Sequence, residues 1–189
     1  METKPNDVIA ESNSVSLQGL GVDSSLGDRG SILFELCDFE NPQHLKALAE
    51  LTNHYMEDPM GDFPLLNKLD QLRLVDGLAN HPTAEVHFAI SDSTVVGLAT
   101  CFVNFSTFYV KPYLYIHDIV VLKDYRGKGI GKALIEHLIV SSIEREFCKI
   151  TLEVREDNIV AKLLYKDIGF DECDPKMLFW TKKLNDYSQ

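Results

Sequence analysis

The fold is decided by the stretch Tyr125-Arg126-Gly127-Lys128-Gly129-Ile130-Gly131-Lys132-Ala133-Leu134. It follows an apolar run, Tyr113 to Leu122, that predicts a β-strand, and it opens an amphipathic run that predicts an α-helix. Glycines at alternate positions let the backbone bend sharply and bring its N–H groups close to a ligand. Because a helix N-terminus adds unpaired donors and partial positive charge, this turn is suited to bind a phosphate or pyrophosphate group.

Four basic side chains lie within residues 123–132, which overlap this stretch: Lys123, Arg126, Lys128 and Lys132. The whole chain of 189 residues carries a formal net charge of -11, so this local positive charge stands against the general composition. Generic surface charge is one interpretation of these residues. A bound polyanion explains their clustering better.

Two familiar phosphate-binding motifs do not fit this turn. A P-loop needs Ser or Thr after its Gly-Lys pair, but Gly131-Lys132 is followed by Ala133. A dinucleotide fingerprint needs a third glycine three residues after Gly129, and that position holds Lys132. What remains is an Arg-x-x-Gly-x-Gly pattern that begins at Arg126.

A second motif follows in the C-terminal part of the chain. The run Ile150 to Val154 predicts a β-strand, and the helix after it would be capped by Asn158 and closed by Gly169. Within that helix Asn158, Ala161 and Tyr165 are spaced so that they share one face. This face offers a small residue, where a ligand can approach, between an amide and a phenol.

Together the two motifs, which span about Tyr113 to Phe170, resemble the GNAT N-acetyltransferase superfamily. The resemblance implies an acyl-CoA N-acyltransferase fold, acetyl-CoA as cofactor and N-acetyltransferase activity. Several stretches, among them Asn80-His81-Pro82 and Val96 to Ala99, look like the diamine (spermidine/spermine) acetyltransferase branch. Where that branch has a Glu-Asp pair on its fourth strand, this chain has His117-Asp118, so the resemblance leaves the polyamine specificity open and does not affect the cofactor site.

The resemblance also implies roles for individual residues. Backbone N–H groups of the fourth strand would hold the thioester carbonyl, the glycine-rich loop would bind the pyrophosphate, and Tyr165 would protonate the departing thiolate. Asn158 would contact the pantetheine arm beside Ala161, or would only cap its helix. The implied cofactor-binding residues of the strand and the loop are Ile119, Val120, Val121, Arg126, Gly127, Lys128, Gly129, Ile130, Gly131 and Lys132.

The fourth strand carries a candidate general base. An alkylamine has a pKa near 10.4, so presenting it neutral at pH 7 costs roughly 4 to 5 kcal/mol. His117 has an intrinsic pKa suited to accept that proton, directly or through a water, and its neighbour Asp118 is expected to point to the opposite face of the strand. The alternatives are that His117 is bonded to a neighbouring backbone group and that Tyr165 is a packed core residue. Glu153 either faces the substrate cleft or is a solvated carboxylate of the strand.

The order of the elements predicts an α/β fold, with a mixed, largely antiparallel sheet of about six or seven strands and flanking helices. Residues 1–30 are interpreted as a disordered tail, 31–184 as a single N-acetyltransferase domain and 185–189 as a C-terminal tail. The stretch Lys176 to Lys182 is predicted as the last strand.

Composition limits the kinds of binding partner that this protein is expected to have. The negative net charge argues against nucleic acid, and no apolar run reaches the length of a membrane span. The cysteines show no metal-ligand spacing, so no metal site is expected and the protein is interpreted as cytoplasmic: Cys37, Cys101, Cys148 and Cys173. We expect a small-molecule amine as substrate, and a homodimer is left open. The alternative functions are acetylation of a protein lysine or N-terminus and a non-catalytic acyl-CoA-binding module.

Overall fold

The computed structural model describes residues 32–184. The predictions for residues 1–30 and 185–189 fall outside this range. Five strands and four α-helices follow one another along the described chain. They are β1 (Leu33–Leu36), α1 (Pro42–Glu57), α2 (Lys68–Ala79), β2 (Ala84–Ser91), β3 (Thr94–Ser106), β4 (Lys111–Val121), α3 (Ile130–Glu144), β5 (Ile150–Leu152) and α4 (Ile159–Asp167).

The five strands form one mixed sheet in the order β1-β2-β3-β4-β5. Neighbours from β1 to β4 pair antiparallel, whereas β4 and β5 pair parallel because α3 carries the chain back between them. The predicted α/β fold with a largely antiparallel mixed sheet is therefore confirmed.

Local capping signals explain where the helices begin and end. The side chain of Asn41 accepts a hydrogen bond from the backbone N–H of Gln43, and Pro42 occupies the first turn of α1. Gly169 follows the end of α4 with a φ of 96°, a left-handed conformation that a residue without Cβ adopts at no steric cost. Both caps were predicted from the sequence.

Two apolar clusters hold helices to the two faces of the sheet. On one face, Leu134 and Leu138 of α3 pack with Leu114 and Ile116 of β4. The second cluster places α1 and α2 on the other face, through these buried residues: Leu48, Leu51, Leu78, Val86, Phe88, Leu98 and Val120. Since each face buries its own apolar side chains, the sheet forms the middle layer of three.

The middle of β4 contains a β-bulge. Thr100 of β3 lies opposite Asp118, whereas Cys101 lies opposite Ile116, so His117 is an extra residue without a partner on β3. The bulge interrupts the alternation of side chains along the strand. The expectation that Asp118 points away from His117 is therefore wrong, because that expectation assumed a regular strand, and the two side chains are hydrogen-bonded to each other.

The burial pattern along β4 shows the same shift. Before the bulge, Leu114 and Ile116 belong to the α3 cluster, and after it Ile119 and Val121 pack against that cluster. Even-numbered residues therefore face the α3 cluster before the bulge, and odd-numbered residues face it after the bulge. One inserted residue lets both halves of β4 keep an apolar face toward α3.

The last predicted strand, Lys176 to Lys182, is not a strand in the structure, and the described residues hold five strands instead of six or seven. A strand forms only where its backbone groups find a hydrogen-bonding partner, and this segment has none among residues 32–184. None of the helices within this range is both long enough and apolar enough to cross a membrane.

Candidate active site

The sheet opens between β4 and β5. Only three residue pairs join these strands, the last of them Ile116 with Leu152, while β4 continues to Val121. The backbone groups of this carboxyl half that point away from β3 have no partner on β5. The predicted carbonyl-binding positions Ile119, Val120 and Val121 all lie along this opening.

The glycine-rich loop leads from the end of β4 into α3. Gly127 and Gly129 adopt left-handed φ angles of 73° and 80°, and Gly129 caps α3 without any side-chain hydrogen bond. The first intrahelical bond of α3 runs from the N–H of Ala133 to the carbonyl of Gly129. The N–H groups of residues 130–132 therefore have no intrahelical acceptor and form a donor cluster with the positive end of a 15-residue helix.

The side chain of Arg126 is turned back toward α1. Its Nε donates to the carbonyl of Val121 at 2.9 Å, and its Nη1 donates to Asp58 Oδ2 at 2.7 Å. Asp58 follows the last residue of α1, and its pKa is lowered by the backbone N–H of Met60 and by Arg126, against a smaller opposing effect of burial. Arg126 thus connects the loop to α1, and its guanidinium is already hydrogen-bonded.

Two lysines of the motif lie on the surface beside the loop. The ammonium of Lys132 pairs with the carboxylate of Asp167, the last residue of α4. Lys128 Nζ lies 4.8 Å from the centre of the Tyr125 ring. Both cations remain close to the N-terminal turn of α3, where they add to its positive potential.

Tyr165 is buried on α4, with 8% of its surface exposed. Burial, and to a smaller extent the neighbouring Tyr55, raise the pKa of its phenol to about 12. Its ring is tilted against Phe170 at a centroid distance of 6.0 Å. The hydroxyl makes no hydrogen bond to another of the described residues, so it is available to a ligand.

Sequence reasoning missed Tyr55 as a site residue. It lies in the last turns of α1, half-buried against the apolar cluster of α1 and α2, and it is close enough to Tyr165 to raise the pKa of that phenol. Burial raises the pKa of Tyr55, and the charges of Asp118 and Asp58 raise it further. No local signal marks this role, because Tyr55 reaches the site only through the packing of α1 on the sheet.

His117 and Asp118 form a hydrogen-bonded pair at the bulge. Nδ1 of His117 lies 2.9 Å from Asp118 Oδ2, and this bond raises the pKa of the imidazole although burial opposes the shift. The ring of His117 lies edge-on to those of Phe102 and Tyr115, with centroids 5.9 and 5.8 Å away. Tyr115 in turn donates its hydroxyl to Glu153 at 3.0 Å. The bulge thus brings a histidine, two carboxylates and two aromatic rings together.

Asn158 caps α4: its Oδ1 accepts the N–H of Ala161 at 3.2 Å. This is the capping alternative stated from the sequence, and Ala161 is the residue whose N–H it binds.

A cavity of about 290 Å³ lies between α1 and α2, and the carboxylates of Glu50 and Glu57 are among its lining groups. Within residues 32–184, no three metal-ligating side chains converge.

Comparison with known proteins places this geometry in context. The family model described as "Acetyltransferase (GNAT) family" matches residues 46–170. The chain is 42% identical over 58 residues to the ribosomal protein bS18-alanine N-acetyltransferase of Escherichia coli (strain K12). That match covers 31% of this chain and 39% of the relative, so the chain spans about two fifths of the curated relatives it first matches.

Solved structures show the same fold over most of the chain. A crystal structure of a probable acetyltransferase aligns with a TM-score of 0.68 at 22% identity, covering 82% of this chain and 99% of that one. An aminoglycoside N-acetyltransferase solved in complex with CoA aligns with a TM-score of 0.63 at 15% identity, covering 85% and 99%.

Proposed function

The chain belongs to the GNAT acetyltransferase family, and from this we propose that it transfers the acetyl group of acetyl-CoA to the primary amine of a small, polyamine-like or amino-acid-like molecule. The amine attacks directly in a ternary complex. The observation that carries the proposal is the opening beside the carboxyl half of β4, which lies next to the glycine-capped N-terminus of α3. An extended thioester ligand fits between such groups, with its anionic end on the helix.

The loop has the properties that a pyrophosphate requires. The N–H groups of residues 130–132 lack intrahelical acceptors, and a Cβ built on Gly127 would meet open space, so the backbone is accessible there. Acetyl-CoA supplies the activated acetyl thioester. Arg126 holds the loop against α1, Lys128 and Lys132 add positive charge, and the N–H groups of 119–121 that face the opening polarise the thioester carbonyl. One such fixed donor contributes about 3 kcal/mol to the barrier reduction.

Tyr165 acts as the general acid. With a pKa of about 12 its phenol stays protonated at neutral pH, and its hydroxyl can donate a proton to the sulfur as the thiolate departs. The absence of a hydrogen-bond acceptor for this hydroxyl among the described residues is consistent with that role. Burial is the main cause of this raised pKa, and the nearby Tyr55 adds to it.

His117 removes the proton from the acceptor ammonium, directly or through a water. The carboxylate of Asp118 raises the pKa of the imidazole, which makes it a stronger base near neutral pH. The same carboxylate compensates the positive charge that His117 gains. The pair thus lowers the cost of presenting a neutral amine.

The acceptor site suits a cationic amine. Asp118 and Glu153 supply negative charge, and the rings of Phe102 and Tyr115 supply aromatic surface that attracts ammonium groups. The resemblance to the diamine acetyltransferase branch also favours a cationic amine as acceptor, although His117 stands where that branch has a carboxylate.

A second candidate is acetylation of a protein N-terminus. It is favoured by the E. coli relative, which is named an alanine N-acetyltransferase of a ribosomal protein. An α-amine at a chain end presents the same nucleophile as a small primary amine. The two candidates differ in what surrounds that amine, so they are separated by an acceptor panel.

The test is a panel of diamines, polyamines, free amino acids and peptides with N-terminal alanine, assayed by release of free CoA thiol. Turnover of small amines above that of the peptides supports the proposal. Turnover confined to peptides favours the second candidate. Binding of acetyl-CoA by calorimetry without turnover of any acceptor would instead indicate a non-catalytic acyl-CoA-binding module.

A further inference from the structure

The end of α1 holds the segment that leads into the glycine-rich loop at two points. The backbone N–H of Lys123 donates to Nε2 of His54 at 3.2 Å, and the guanidinium of Arg126 pairs with the carboxylate of Asp58. His54 and Asp58 are four residues apart at the end of the helix, so they lie on the same side of it. Both ends of the segment 123–126 are therefore hydrogen-bonded to one face of α1.

The contact with Lys123 supplies an acceptor that the local chain does not provide. Lys123–Tyr125 form a single 3₁₀ turn, and Leu122 before it makes no side-chain capping bond. The first N–H of such a turn has no acceptor within the turn itself. The imidazole of His54, 69 positions earlier in the chain, accepts it instead. Because the glycine-rich loop follows this turn directly, the position of the turn determines where the loop begins.

The geometry also determines which form of the imidazole makes this bond. An N–H group points at Nε2 of His54, so this nitrogen carries no hydrogen, and the neutral ring has its proton on Nδ1. A proton added to Nε2 would face the N–H of Lys123 at 3.2 Å and Nη2 of Arg126 at 3.5 Å. Since donors would then oppose one another, the imidazolium does not keep this contact.

We propose that His54 is a positioning residue for the coenzyme, and that its neutral form holds the glycine-rich loop in the conformation that binds acetyl-CoA. The inference rests on the proposed role of this loop as the pyrophosphate site. When His54 gains a proton, the start of the loop is released from α1 and the affinity for acetyl-CoA falls. Histidine is the side chain whose charge ordinarily changes between pH 5 and 8, so the loss is expected as the pH falls through this range.

Charged groups of both signs surround His54. They come from the end of its own helix and from the loop: Glu50, Glu57, Asp58, Lys123 and Arg126. The segment between the helices and α2 contribute Leu65 and Gln71, which are uncharged, to the cavity that His54 lines. Substitution of His54 leaves all of these groups in place, so a changed pH dependence of binding is assigned to the imidazole itself.

Calorimetry of acetyl-CoA binding between pH 5.5 and 8 tests the proposal, with His54→Gln and His54→Leu beside the wild type. Glutamine offers a side-chain oxygen as acceptor that does not titrate in this range, whereas leucine offers no acceptor. At pH 8 we expect His54→Gln to bind within about twofold of the wild type. His54→Leu should bind about three- to tenfold more weakly, in line with the loss of one hydrogen bond. Equal affinity of His54→Leu and the wild type at pH 8 would contradict the proposal.

The decisive quantity is the dissociation constant of the wild type divided by that of His54→Gln, measured at each pH. Protonation of the coenzyme phosphates and of His117 acts on both proteins alike, so it cancels in this ratio. The ratio should rise about three- to tenfold from pH 8 to 5.5, because only the wild type loses its contact with Lys123. A constant ratio would overturn the proposal. A ratio that falls would overturn it as well, since the imidazolium would then attract the anionic coenzyme.

His81→Gln is the matched control for the loss of a titratable imidazole. His81 is exposed after α2, and its hydrogen bonds stay within its own turn, to Thr83. The ratio for this variant should therefore not change with pH. Circular dichroism checks that each variant is folded. A wild type that binds no acetyl-CoA at any pH would refute the proposed coenzyme site and this inference with it, whereas binding with a constant ratio refutes only the role of His54.

Discussion

Nδ1 of His117 and Oδ2 of Asp118 lie 2.9 Å apart, although the two residues are neighbours in one β-strand. Adjacent side chains of a regular strand point to opposite faces, and the β-bulge in β4 removes this constraint. The pair is thus a product of the bulge.

Replacing Asp118 should shift the acid limb of the pH profile. The carboxylate raises the pKa of His117 by favouring the imidazolium, and catalysis needs the neutral base. In Asp118→Asn the pKa of His117 falls, so kcat/KM should persist to lower pH than in the wild type. The measurement is kcat/KM against pH, and an acid limb that stays in place, or that survives in His117→Ala, would remove His117 from the mechanism.

Removing the Tyr165 hydroxyl should slow the chemical step without weakening coenzyme binding. We expect Tyr165→Phe to lower kcat by about 10²–10⁴-fold, the usual contribution of a general acid. Tyr109→Phe is the control, at a tyrosine that is 66% exposed on the β3–β4 loop, and it should leave kcat unchanged. Full turnover by Tyr165→Phe would show that another group protonates the thiolate.

The ion pair between Arg126 and Asp58 should matter for coenzyme affinity although Asp58 is not assigned any contact with the coenzyme. It connects the glycine-rich loop to the end of α1, so Asp58→Asn should loosen the loop and raise the dissociation constant for acetyl-CoA several-fold. Calorimetry measures this change. Asp70→Asn, which breaks a helical pair of similar carboxylate exposure with Arg73, should have no such effect.

A side chain at Gly129 should disturb both the loop and its donors. Gly129 has a φ of 80°, so Gly129→Ala should cost about 1–2 kcal/mol in stability and weaken acetyl-CoA binding. Gly77 offers the contrast: it lies inside α2, where an added Cβ meets nothing within 4 Å. Gly77→Ala should therefore stabilise the protein by roughly 0.5–1 kcal/mol, and denaturant unfolding of both variants tests the pair.

Glu85 should make folding stability pH-dependent in acid. Although burial opposes the shift, hydrogen bonds from His87 and Arg145 lower its pKa from 4.5 to about 2. Because the folded-state pKa is depressed, this contribution is present above about pH 4.5 and is lost as the pH falls toward 2. A shift of this size corresponds to about 3 kcal/mol. Urea unfolding between pH 5 and 2 should show a smaller loss of stability in Glu85→Gln than in the wild type.

The sequence by itself determined the features that depend on neighbouring residues. The caps at Asn41, Asn158 and Gly169 were predicted because their hydrogen bonds or backbone conformations involve only a few successive residues. The left-handed glycines at the start of α3 are local in the same way. The family resemblance rests on these elements. Together with the order of helices and strands, they predicted the fold class.

Only the tertiary structure decided what depends on contacts between distant residues. Arg126 contacts Asp58, 68 positions away, and Tyr55 comes near Tyr165 only because α1 packs on the sheet. The bulge at His117 appears only when β4 is paired with β3. Lys176 to Lys182 is no strand because no partner strand lies beside it within residues 32–184. Pairing and burial depend on which surfaces meet, and local propensity does not contain that information.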